Sequence, residues 1–335
     1  LELNAQSISN AVDIYIRQKV RQLAELKGYD EETCNAVRDY LSKNAKDTFL
    51  WVALVCQDLE KYQRWKVLKM LGTFPPGLDS LYKRMMEQVL GMEDDSDVSL
   101  CKQILATITS VYRPITLREI GCLIDIPEEL ANDVKSLEET VALCGSFLTI
   151  RGDTIYFVHQ SAKDYLTNNE EAISAIFPSG HEDRHYAIFS HSLQAMGQAL
   201  QRNIYGLSYF GSFIDGGIII PDPDPLNAIR YSCVHWVDHL CEGNANGVSA
   251  RYCNNLGDDG AVSLFIRKHF LHWFESLGLL QHIPDGVISI TKLVALLAVS
   301  LYSKAPLYID LTNLGTIFPR GATRFLPRCT QIYFI

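Results

Sequence analysis

"SFLTIRGDTIYFVHQSAKDYL", residues 146–166, holds a hairpin and the first turns of a helix, and the rest of the chain is read outward from it. The runs 147–150 and 154–158 are rich in β-branched and aromatic residues and flank Gly152, the pattern of two strands around a tight turn. Alternation along the second strand sets Ile155, Phe157 and His159 on one face, predicted to look inward. Ser161 and Asp164 have the spacing of an N-cap and its partner at the third helical position, so a helix is expected just past the histidine. Ala162, Tyr165 and Leu166 would form its apolar face. On residue types alone, a satisfied core histidine is favoured over a ligand contact at His159. Its Ser and Asp neighbours are committed to capping and cannot make a catalytic triad with it. The Arg151-Gly152-Asp153 tripeptide is explained by the turn.

Immediately upstream, "VSLCKQILATITSVY" (98–112) reads as a helix and "RPI" as a turn. "TLREIGCLI" offers Thr116 and Glu119 as a capping box ahead of an apolar stripe. "SLEETVALCG" (136–145) is a third helix closed by glycine. Three helices followed by a hairpin predict a winged helix over 98–169. Before the acidic connection "MEDDSD" (92–97), everything is helical, and 1–92 is read as a small helical domain. Val12, Ile16, Val20 and Leu23 make an amphipathic stripe closed by Gly28. Asp30 is the expected N-cap of the next helix, and "TFLWVALVCQDLEKY" (48–62) is apolar all round and predicts a buried one.

Downstream, residues 170–302 read as a helical arm. Phe189, Leu193, Met196 and Leu200 recur at four-three-four spacing. In "CVHWVDHLC" (233–241), Cys233, Trp236, Val237, Leu240 and Cys241 fall on one apolar stripe of a helix, with His235 and His239 on the far side. The four metal-like side chains therefore cannot converge on one ion. The thiols are expected in the core, and a two-histidine surface site stays open. "LVALLAVSLY" (293–302) is about half the ~20 residues of a membrane span and predicts a buried helix. Residues 303–335 lose periodicity and are read as an irregular tail. The fold class is mainly α: a helical domain, a winged helix and a C-terminal helical array.

The chain has 335 residues with 47% hydrophobic and 21% charged content, as in ordinary globular proteins, and a net charge of −9. That balance argues against nucleic acid as a partner. Nine scattered cysteines without a CxxC pair fit free thiols of a cytoplasmic protein better than a disulfide framework or zinc ribbon. GxxxxGK[ST], HExxH and GxSxG are all absent, so no catalytic or metal site and no cofactor of its own is expected in this chain. It starts at Leu1 rather than Met, and is read as part of a longer polypeptide.

"KDTFLWVALVCQDLE" (46–60), "FPPGLDSLYKRMM" (74–86), "YRPITLREI" (112–120), "LCGSFLTIRGDTIYFVHQSAKDYL" (143–166) and "YSCVHWVDHLC" (231–241) carry a resemblance. They are similar to the region after the nucleotide-binding core in fungal NACHT-domain STAND proteins, the class of the vegetative incompatibility proteins. The resemblance covers about residues 5–300 and is most specific through 166. It implies an upstream NACHT core as partner and ADP or ATP as the cofactor of the whole protein, with no membrane partner. A WD-repeat domain downstream and a homo-oligomer on activation stay open. In animal NLR relatives, the histidine of an F-x-H-x-x-x-Q-E-F run touches the β-phosphate of ADP. Phe157, His159, Lys163, Asp164 and Tyr165 occupy that run here, with Lys-Asp-Tyr for Gln-Glu-Phe, so the resemblance carries the role to His159. Relatives also set a proline near adenine in a G-x-P-L stretch. Phe49 stands at the proline position of Asp47-Thr48-Phe49-Leu50, a departure that weakens the adenine contact assigned to it. The same winged helix occurs in fungal proteins named after GPI inositol-deacylase, whose hydrolase activity lies in a separate α/β domain. The implied function is the regulatory middle segment of a signalling NTPase, not catalytic by itself. The alternatives are a protein-interaction scaffold and a DNA-binding winged helix.

Overall fold

The computed structural model describes residues 2–207, 220–244, 255–257 and 259–304. Five helices come first: α1 (Glu2–Lys27), α2 (Glu31–Asn44), α3 (Phe49–Leu59), α4 (Val67–Leu71) and α5 (Leu78–Leu90). Asp30 caps α2 by accepting from the Thr33 N–H at 2.9 Å, as its position in the sequence predicts. Helix α3 buries Trp51, Val52, Leu54, Val55, Cys56 and Leu59, which leaves little of its circumference for solvent.

Next come α6 (Asp95–Ser110), β1 (Ile115–Thr116), α7 (Leu117–Gly121), α8 (Glu128–Asn132), α9 (Val134–Ala142), β2 (Leu148–Arg151) and β3 (Thr154–Phe157). Thr116 and Glu119 form the predicted capping box at the start of α7. The hairpin β2–β3 pairs Arg151 with Thr154 and Ile150 with Ile155. Its two-residue loop puts Gly152 at the first turn position with φ of 67°, which hairpin turns of the primed types require. The winged helix is thus present, with one strand that periodicity does not reveal. β1 pairs antiparallel with β3, Ile115 opposite Ile155, so the sheet order is β1–β3–β2.

Helices α10 (Gln160–Asn168), α11 (Glu170–Ile176), α12 (His181–Ala199), α13 (Arg230–Glu242), α14 (Ala261–Leu279) and α15 (Ile283–Lys304) follow. Two cores organise the chain. The first runs without a break from Val12 on α1 to Phe177, so the early helices and the winged helix share one apolar interior. The second joins Phe189, Met196, Trp236, Phe265, Trp273 and Leu277 from α12, α13 and α14. Helix α15 contributes Leu293 to it but leaves Val287, Ile288 and Val294 exposed, so it is half-covered rather than buried as its composition predicts. No helix among the described residues is long and apolar enough to cross a membrane. The tail beyond Lys304, expected to be irregular, lies outside the described residues.

Candidate functional site

Strand β3 ends at Phe157, and the Val158 N–H still reaches the Phe147 carbonyl at 2.9 Å. One residue later the chain has left the sheet. His159 is extended (φ −159°, ψ 157°) and is itself the N-cap of α10. Its Nδ1 accepts from the Ser161 N–H at 3.1 Å and lies 2.9 Å from the Ser161 hydroxyl. Ser161 was the expected cap; its hydroxyl instead meets the Tyr82 hydroxyl of α5 at 2.9 Å. Asp164 accepts from Gln160 at 2.9 Å rather than closing a capping box. Tyr82 is fully buried and stacks on Phe147, with ring centroids 5.7 Å apart.

The inward orientation predicted for His159 does not hold. Along β3 the shared face runs from buried Ile155 through half-buried Phe157 to exposed His159, because strand pairing stops at Phe157 and the core stops with it. The imidazole is tied by one nitrogen to the helix start, and the residue faces solvent. Beside it, Phe157, Gln160, Lys163, Arg113 and Tyr156 line a cleft of about 300 Å³.

Phe49, the other residue singled out, is the first residue of α3. It is 44% exposed and sits edge-on to Tyr15 at 5.5 Å. Asp47, which stands at the glycine of the G-x-P-L stretch, has a φ of 56°, the left-handed conformation that glycine adopts at least cost. Among the described residues, no hydrogen bond or ring contact joins Phe49 to His159.

A second group of histidines lies where the two cores meet, and the sequence pattern misjudges it. His239 is not on a surface: it is 0% exposed. Its Nδ1 is 2.8 Å from Nδ1 of His185, and its Nε2 is 2.7 Å from the Tyr231 hydroxyl. That hydroxyl also accepts from the Tyr112 N–H at 3.2 Å. The Tyr231 N–H donates to Glu119 at 3.0 Å, and Arg113 holds the same buried carboxylate with bonds of 2.6 and 3.0 Å. Burial is the main cause that pushes His185 down to about 4 and His239 down to about 2, so both are neutral at ordinary pH. Cys233 is in the core as expected, whereas Cys241 is only half-buried. His235 pairs with Asp238 at 3.2 Å, apart from His239. No group of three or more His, Cys, Asp or Glu among the described residues is arranged to hold a metal ion.

Comparison with known proteins agrees with this architecture. Residues 90–177 match the family described as GPI inositol-deacylase, winged helix domain. The chain is 46% identical over 309 residues to the vegetative incompatibility protein HET-E-1 of Podospora anserina. That match takes in 89% of this chain and 22% of the length of the relative. The resemblance to the fungal incompatibility proteins is borne out, and so is the winged helix. No solved structure matches.

Proposed function

We propose that this chain is the regulatory segment of a nucleotide-switched signalling protein, and that His159 contacts the β-phosphate of ADP held by a NACHT core upstream. In this reading 1–92 is the small helical domain after that core, 98–169 the winged helix and 170–302 a cytoplasmic arm. The chain itself is not catalytic. The observation that supports it best is the position of His159, exposed at a strand end and anchored through one nitrogen, so that the rest of the ring can meet a neighbouring module. A nucleotide bound more tightly in the closed arrangement would bias a two-state switch toward rest, and its loss would release it. Phe49, exposed at the start of α3, is the accompanying candidate for the adenine side.

The test is His159→Ala in the whole protein, with the ADP retained after purification and the resting activity measured. A hydrogen bond to a charged phosphate is worth enough that ADP should be held about ten- to a hundredfold less tightly. Unchanged retention with unchanged resting inactivity contradicts the clamp.

A scaffold role has an observation of its own. Ile283, Val287, Ile288, Val294 and Leu297 expose apolar surface along α15, a face suited to another element or domain. The DNA-binding alternative is not favoured. Helix α9, which would enter the groove, exposes Glu138 and Glu139 beside Lys135, a poor surface for phosphate.

A further inference from the structure

We infer that Tyr82 and Ser161 are positioning residues for His159, which fix its tautomer so that Nδ1 is a buried-side acceptor and Nε2–H the outward donor. This rests on the phosphate-contact reading for its purpose, but not for its geometry. The Ser161 backbone N–H can only donate, and it points at Nδ1 from 3.1 Å. A proton on Nδ1 would face that N–H and leave α10 uncapped. The ring proton therefore sits on Nε2, across the ring from the cap.

The Ser161 hydroxyl, 2.9 Å from the same nitrogen, has two neighbours and one proton. Tyr82 settles its direction. Buried between Phe147 and Tyr165, its hydroxyl has Ser161 as its hydrogen-bond partner and keeps its proton, since burial raises its pKa. With Tyr82 donating to the Ser161 oxygen, Ser161 donates to Nδ1, sharing its one lone pair with the Ser161 N–H in a three-centre bond, and every donor in the chain Tyr82–Ser161–His159 points the same way. The relay crosses from α5 to α10, elements 79 positions apart at their joining residues. A shift of α5 against the winged helix would therefore take Tyr82 out of the relay and weaken the tautomer bias, while the Ser161 N–H still holds Nδ1. The ligand this arrangement serves is an oxyanion such as the phosphate of a nucleoside diphosphate, whose oxygen accepts from the outward Nε2–H.

The experiment is long-range proton–nitrogen NMR on the histidine-labelled 335-residue chain, at a pH above the ordinary imidazole range, with His159 assigned by difference from His159→Gln. The expected spectrum shows His159 as the Nε2–H tautomer. Ser161→Ala should lower the tautomer ratio about fivefold, the factor an ordinary hydrogen bond supplies. Tyr82→Phe should lower it by about two- to threefold, and Ser161→Thr should restore it. An Nδ1–H tautomer in the parent chain, or ratios indifferent to both Ser161→Ala and Tyr82→Phe, overturns the inference. The two readings fail separately: if Tyr82→Phe shifts the tautomer but the whole protein keeps its ADP without the His159 ring, positioning stands and the phosphate contact falls.

Discussion

His159 and His239 are the same side chain placed at opposite ends of the burial scale. His239 uses both ring nitrogens within the protein, one on His185 and one on Tyr231, and has no exposed surface. His159 uses one nitrogen to cap α10 and stands exposed. A histidine with every nitrogen spoken for can hold two cores together but has nothing to offer a ligand. One tied at a single point is positioned and still has a donor to give. The difference locates structure at the seam between the cores and leaves the strand–helix joint as the place where the proposed recognition would occur.

Acid should break this contrast most strongly. The seam histidines are held below their unfolded value, so the unfolded chain binds more protons and folding stability falls as pH drops below about 6.5. The loss continues toward about 4 for His185, at up to about 1.4 kcal/mol per pH unit for each histidine. Denaturant midpoints measured from pH 7.5 downward should show it, and His185→Gln should flatten the slope. A flat profile in the parent chain means the pair is not held neutral by the fold.

Removing the carboxylate at the centre of the seam comes next. Glu119 is buried and serves the Thr116 and Tyr231 N–H groups as well as Arg113. Glu119→Ala leaves those donors unmatched and should cost about 3 kcal/mol by chemical denaturation. Tyr231→Phe keeps the ring but strands the Tyr112 N–H and the His239 nitrogen, for a loss of about 2 kcal/mol. His159→Ala removes only the cap of an exposed helix start, so stability should fall by about 1 kcal/mol. If that substitution instead destabilises the chain as much as Glu119→Ala, the distinction between the two histidines collapses.

Much of this organisation is written locally. Asp30, the Thr116–Glu119 box and Gly152 each act within a few residues of their own position, and each does what its spacing predicts. What escapes the sequence depends on a partner far along the chain. Strand β1 is two residues long and exists only because Ile155 pairs with Ile115. The cap of α10 moves from Ser161 to His159, with the Ser161 hydroxyl engaged by Tyr82 on a distant helix. His239 lies opposite the apolar stripe of α13, where a helical wheel predicts solvent. Tyr112 and His185 cover that face, so the helix is packed on two sides. The exposure of His159 was likewise illegible, because alternation says which face a residue shares but not where the core ends.

The most direct test pairs the two sites in one measurement: the rate of ADP release from the whole protein, compared for His159→Ala and Tyr231→Phe. Release at least tenfold faster in the first, with the second close to the parent, is the predicted result. Equal rates in all three proteins would contradict the assignment of His159 to the nucleotide.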